Sequence, residues 1–366
     1  MSAALPSRRA DVELDLAADL VDLTRTVCDL QSVSGSEGPL ADAVEVALRR
    51  LPHLEVLRDG DAVLARTALG RPERVVLAGH LDTVPVARNL PTRLEGDGET
   101  GVLVGRGTAD MKGGVAVQLK VAAALAAPSR DLTFVFYDNE EVDAERNGLG
   151  RLARNHPDWL AGDLAVLLEP TAAGIEGGCN GTLKAEVVTR GVAAHSARWW
   201  RGVNAIHEAG RVLARLQAYQ PREVEVEGLV FREGLNAVSI SGGIAGNVIP
   251  DVCRVVVNYR FAPDKNLASA SAHVREVFEG YDVAIVDGAD GARPGLDRPA
   301  AAAFAAAIGA APSAKYGWTD VARFSALGIP ALNFGPGDPS VAHADDEHVP
   351  VAQLRACERA LLTWLS

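Results

Sequence analysis

Arg74-Val75-Val76-Leu77-Ala78-Gly79-His80-Leu81-Asp82 is an apolar run that stops at an imidazole and a carboxylate. The same design recurs along the chain. Leu132-Thr133-Phe134-Val135-Phe136-Tyr137 leads into Asp138-Asn139-Glu140-Glu141, and Leu164-Ala165-Val166-Leu167-Leu168 stops at Glu169. Ile329-Pro330-Ala331-Leu332-Asn333-Phe334 precedes a Gly/Pro turn and then His343. Short continuous apolar runs read as strands buried on both faces of a parallel sheet. Open sheets of that kind bind ligands just beyond the carboxyl ends of their strands. Imidazoles and carboxylates delivered there repeatedly describe a metal centre built by the sheet edge.

Around these runs the pattern alternates between strand and helix, as an α/β layer architecture requires. Val12 to Leu30 carries apolar positions at helical spacing, and Pro39 opens a second helix reaching about Arg50. Strands are expected near Val56, Val63 and Val75, and a helix from Val115 to Ala127. After about Gly181 the texture changes. Leu183–Arg190, Val238–Gly243, Val252–Phe261 and Val283–Val286 read as strands, with helices at Val203–Ala218 and Ala268–Glu279. That β-α-β-β-α-β order is a ferredoxin-like α+β unit. The expected organisation is a catalytic domain of residues 1–180 and 291–366, with a mixed, largely parallel sheet flanked by helices. Residues 181–290 form an inserted domain.

Composition narrows the function. With 366 residues, two domains are the expectation, and 48% hydrophobic residues supply the cores. A net charge of -12 argues against nucleic acid or an anionic membrane as the main partner. Cys28, Cys179, Cys253 and Cys357 lie far apart, which fits reduced thiols rather than a disulfide framework. Met1-Ser2-Ala3-Ala4-Leu5-Pro6-Ser7-Arg8-Arg9 lacks the apolar core of a signal peptide, so the expected location is the cytoplasm.

His80 and Asp82 share a strand face, so Asp82 is placed to receive the second ring proton of His80. Gly105 and Gly107 hint at a dinucleotide loop, but Asp110 stands where the third glycine would be and would repel a pyrophosphate. Glu140 and Glu141 are adjacent, so their side chains diverge, one toward a metal and the other toward substrate or water. Alone such a pair is usually a solvated surface; immediately after a buried strand that reading weakens. Asp110, Glu140, Glu141 and Glu169 in one crevice need compensating charge, which two divalent ions would supply. If Asp110, Glu141 and Glu169 bind metal with one hydroxide, that core is neutral and Glu140 remains as base. Mixed His/carboxylate ligation suits zinc, cobalt or manganese. Of His343 and His348, His343 lies nearer the turn and is the better ligand candidate.

Taken together, His80-x-Asp82, Asp110, Glu140-Glu141, Glu169 and His343 resemble the pattern of the co-catalytic zinc aminoacylase/carboxypeptidase family, and the likeness spans nearly the whole chain. The resemblance implies two zinc ions per subunit: His80 and Glu169 on one, Glu141 and His343 on the other, and Asp110 between them. It makes Asp82 the residue that orients His80 and Glu140 the proton shuttle. Ala194-His195-Ser196 looks like the family's histidine that reaches the partner subunit's active site, which implies a homodimer through the inserted domain. Three stretches, Glu140–Gly150, Glu169–Thr182 and Gly317–Phe324, are most similar to the actinobacterial branch that removes a succinyl group from a diamino diacid. By that likeness Arg260 and Asn247 contact substrate carboxylates. Thr319 is a less secure contact because Trp318-Thr319-Asp320 departs from the Thr-Ser-Asp of proteobacterial relatives, and Arg198 serves either substrate binding or dimer packing.

Overall fold

The computed structural model describes residues 12–366; the reading of the N-terminus as free of a signal peptide falls on Met1 to Arg9, outside the described residues. The chain divides into two compact units. One comprises the chain up to Glu176 with Gly295–Pro312 and Arg323–Ser366, the other Gly177–Pro294 with Ser313–Ala322. The sequence reading put residues 313–322 in the first unit, and the structure corrects this. Ala314 is buried with Val226, Phe231 and Ala262, Lys315 O accepts from Asn180 N at 3.1 Å, and Trp318 Nε1 donates to Asp290 O at 3.0 Å. Local packing, invisible to periodicity, decides the membership of this short segment.

In the first unit six strands lie side by side in the order Glu55–Asp59, Ala62–Arg66, Asp131–Tyr137, Arg74–His80, Leu164–Leu167, Ala331–Asn333. The first two form an antiparallel hairpin, and the remaining four run parallel. Asp131–Tyr137 and Leu164–Leu167 are buried at every position, as strands covered on both faces must be. The helix Lys112–Ala124 packs on Arg74–His80 and is itself flanked by Leu20–Asp29 and Val351–Leu365. Its apolar residues therefore show no single face, and ten of its side chains and glycines are buried. The first helix begins at Leu20 rather than near Val12. Asp15 accepts from Ala17 N and Asp19 from Val21 N, both at 2.9 Å, so local carboxylate turns interrupt the apolar periodicity before the helix starts.

The second unit carries four antiparallel strands in the order Gly234–Gly242, Val252–Phe261, Gly181–Arg190, Asp282–Ala289. Helices Ala205–Ala218 and Leu267–Val277 pack on this sheet. Leu183, Ala185 and Val187 alternate inward with Val255, Val257 and Tyr259 to form the core. Gly234–Gly242 lies at the sheet's edge and leaves Val238 and Ile240 exposed. A further hairpin, Glu223–Val226 with Leu229–Arg232, is absent from the sequence reading. Its signal was the alternation Glu223-Val224-Glu225-Val226 before a Glu227-Gly228 turn, whose residues take φ of 52° and 81°.

Candidate metal centre

The four parallel strands deliver their donors from neighbouring carboxyl ends. His80 closes its own strand opposite Tyr137, Glu140 and Glu141 follow Tyr137, Glu169 follows Leu167, and His343 follows Asn333 beyond a turn. Asp110 comes from the loop before helix Lys112–Ala124. That helix lies so close to the next strand's end that a Cβ on Gly114 would stand 2.2 Å from Leu168 O. Glycine is required there because backbone meets backbone. The helix start is further fixed by buried Lys112, whose Nζ donates to Cys28 O, Leu30 O and Ser32 Oγ at 3.2, 2.7 and 2.9 Å. Burial draws this amine down to about 8.

The donors converge in overlapping groups. His80, Asp110 and Glu169 offer atoms all within 4.8 Å of one another, as do Asp110, Glu141 and His343, so Asp110 belongs to both groups. His80, Glu140 and Glu141 form a third group within the same distance. His80 Nε2 lies 3.2 Å from Asp110 Oδ1, while His343 Nε2 lies 3.4 Å from Asp110 Oδ2 and 2.8 Å from Glu141 Oε1. Ligands at about 2.0–2.2 Å from a tetrahedral ion stand roughly 3.3–3.6 Å apart. The donor set of imidazole nitrogens and carboxylate oxygens, spaced in this way around a shared aspartate, fits two cations of the zinc, cobalt or manganese type.

The local field points the same way. Burial works against a charged His80 ring, yet the hydrogen bond it donates to Asp110 and the charges of Asp82 and Glu140 hold its pKa well above the ordinary imidazole value. His343 is lifted to about 10 by its bonds to Asp110 and Glu141. Burial would raise the Asp110 carboxyl, but the two imidazoles hold it far below the usual range. The acids therefore stabilise positive charge at both ring nitrogens that face the crevice.

Asp82 does something other than what its spacing suggested. His80 Nδ1 hydrogen-bonds the main-chain carbonyl of Asp82 at 2.9 Å, and the nearer carboxylate oxygen is 3.6 Å away. The carboxylate instead accepts from Glu140 N and Glu141 N, both at 3.0 Å, and from Ser34 Oγ at 2.7 Å. It thus clamps the backbone that carries both glutamates. Asn139, just before them, sits at φ 57°, and its N–H donates to buried Glu37 at 3.0 Å.

Two more supporting residues escaped the sequence reading. Glu347 is fully buried and accepts from Ala109 N and Asp110 N, each at 3.1 Å, while pairing with Arg106 at 2.6 Å. Their signal was weak: a charged residue four positions after His343, and an arginine between two glycines. His348 lies in a strand with Nδ1 on Asp346 O and is not in the donor groups.

The remaining sequence-derived candidates belong to the second unit. His195 lies on the strand Ala194–His195, exposed, with Nδ1 accepting from Ala197 N at 3.1 Å. Asn247 O accepts from Ser196 N at 2.9 Å, which brings its loop beside His195. Arg198 is exposed in a short 3₁₀ segment. Arg260 lies on Val252–Phe261, its Nε donating to Asn258 Oδ1 at 3.1 Å, and burial lowers its pKa. Thr319 is buried, and its carbonyl accepts from Cys179 Sγ at 3.7 Å.

Residues 76–366 match the model of peptidase family M20/M25/M40. The chain is 55% identical over 355 residues to a Mycobacterium tuberculosis (strain H37Rv) protein provisionally named succinyl-diaminopimelate desuccinylase, covering 96% of this chain and 99% of that one. It is 48% identical over 364 residues to a succinyl-diaminopimelate desuccinylase of Corynebacterium glutamicum, covering 96% and 98%. In fold it is similar to a tripeptidase from Staphylococcus aureus, with a TM-score of 0.79 at 18% identity over 97% of this chain and 98% of that chain.

Proposed function

The chain belongs to peptidase family M20/M25/M40, and we propose that it hydrolyses N-succinyl-LL-2,6-diaminopimelate to succinate and LL-2,6-diaminopimelate, a step of lysine and diaminopimelate biosynthesis. The near full-length 48% identity to the Corynebacterium glutamicum desuccinylase carries this choice of substrate. The converging donors supply a site able to perform it. In this reading His80 and Glu169 would hold one zinc ion and Glu141 and His343 a second, with Asp110 belonging to both groups; cobalt or manganese would replace zinc. When bound, such ions polarise an amide carbonyl and lower the pKa of water to roughly 7.

The protein's own residues do the rest. Glu140 would take the proton of the attacking water as its oxygen bonds the amide carbon, and return it to the nitrogen as the C–N bond breaks, leaving a carboxylic acid and an amine that ionise to carboxylate and ammonium. Asp82 holds the Glu140 and Glu141 main chain in place for that transfer. The Asp82 carbonyl accepts the Nδ1 proton of His80 and leaves Nε2 to face the crevice. The half-buried Arg260 guanidinium suits a substrate carboxylate, with Asn247, Arg198 and Thr319 as further contacts. His195 steadies the developing oxyanion in the partner subunit of a homodimer, for which the exposed apolar edge strand Gly234–Gly242 provides a surface. Among the described residues no helix is long and apolar enough to cross a membrane, and all four cysteines are free and buried; we place the enzyme in the cytoplasm.

The test is a substrate panel on protein stripped with chelator and reloaded with zinc. Succinyl-diaminopimelate should be cleaved at least about 100-fold more efficiently than acetylornithine or dipeptides, equivalent to roughly 2.7 kcal/mol of discrimination. Preference for another acyl group would reassign the enzyme within its family.

A further inference from the structure

Arg106 and Glu347 form an ion pair that water scarcely reaches, each side chain being no more than 3% exposed. A buried pair of this kind is weak evidence of stability, since apolar residues of similar volume often serve as well. What distinguishes this one is where its hydrogen bonds go. Glu347 Oε1 accepts from the main-chain N–H of Ala109 and of Asp110. Arg106 donates through one terminal nitrogen to Glu347 and through the other to the carbonyl of His343 at 3.3 Å, while its Nε reaches Pro85 O at 3.2 Å. Gly105 N donates to Glu347 O at 2.8 Å and closes the strap. The pair therefore joins the backbone of Asp110 directly to that of His343. His343 needs such an anchor: it sits at φ 66° beyond its strand, on a turn, and its ring is half exposed. His80 and Glu169 leave their strands directly, and the loop after His80 is held separately by Thr83 N on Ser32 O at 3.0 Å.

We propose that Glu347 and Arg106 are positioning residues that set the distance between Asp110 and His343, and thereby govern the metal position those two share with Glu141. The pair reaches the position of His80 and Glu169 only through Asp110 and through the Pro85 carbonyl, on a loop that Thr83 already fixes to Ser32. The proposal rests on the two-metal reading above.

The test is a cobalt(II) titration of chelator-stripped protein, read by calorimetry and visible absorption. Wild type should bind in two steps, and His343→Ala identifies one of them by abolishing it. Glu347→Gln keeps the side chain's shape but removes its charge; it should weaken that same step by about 10–100-fold, the usual effect of losing a support behind a ligand, and shift the other step by less than about threefold. Arg106→Lys, which keeps the charge but cannot span Glu347 and the His343 carbonyl together, should move the same step and carries the test should Glu347→Gln not fold. Two wild-type steps that neither variant moves would overturn the positioning role, as would an equal fall in both. Wild type without a step sensitive to His343→Ala would overturn the two-metal reading instead.

Discussion

Replacing Asp82 with asparagine separates two jobs that its position could serve. Its fully buried carboxylate takes the N–H of Glu140 on Oδ1, and the N–H of Glu141 with the Ser34 hydroxyl on Oδ2. Asparagine offers one oxygen and one NH2 group in the same space. In either orientation one glutamate N–H faces a donor, which leaves a buried group unsatisfied at about 1–3 kcal/mol. That strain falls on the peptide units carrying the proposed base, so turnover should drop roughly 10–100-fold. The His80 tautomer is fixed by the main-chain carbonyl at residue 82, which the substitution retains. Metal content should therefore stay near two per chain while kcat falls and KM changes little. Steady-state kinetics with metal analysis on the same preparation decide the matter. A variant that loses metal yet keeps wild-type turnover per bound metal would refute this reasoning and restore the orienting role toward His80.

Glu140→Gln should remove about 10²–10⁴-fold of turnover, the share of positioned acid/base groups, with metal content unchanged; loss of the metals would make Glu140 a ligand. Metal uptake should release protons near neutral pH. His343 is lifted to about 10 and His80 well above its ordinary value, so in chelated protein both rings are charged and each must give up a proton to donate a lone pair. Apparent affinity then climbs as pH rises through the neutral range toward the His343 value; calorimetry in buffers of different ionisation enthalpy that detects no proton release at pH 7 would contradict this. Gly114→Ala forces a Cβ toward Leu168 O, 2.2 Å away before relaxation. It should cost about 1–3 kcal/mol by overpacking and reduce metal content through displacement of Glu169, with an unchanged denaturation midpoint as the outcome that rules it out.

The strands and the polar side chains that follow them were legible because burial on both faces writes an unbroken apolar run and a titratable side chain interrupts it abruptly. Arg74–His80 and Asp131–Tyr137 show this most clearly. The ferredoxin-like order of the second unit was legible from alternation in Gly181–Arg190 and Val252–Phe261. What stayed hidden are acidic groups whose partners are main-chain N–H groups. Asp82, Glu37 and Glu347 accept from residues 58 to 238 positions away in sequence, and no local spacing encodes such pairings. The segment 313–322 was misassigned for a related reason: a two-residue strand and a few hydrogen bonds decide its place, too little to leave a period.

Because the parallel strands each contribute at most a few donors, the crevice is assembled from residues scattered between His80 and His343. A growing polypeptide presents His80, Asp110, Glu140, Glu141 and Glu169 while the whole second unit has yet to be synthesised, and His343 emerges near the end. Domains generally fold as units, and the first unit is completed only by Arg323–Ser366, so a cation arriving earlier would meet donors from one side only. On the two-metal reading, complete loading would be a late event in the life of each molecule, and a truncation removing His343 would leave a half-built trap rather than a weaker enzyme.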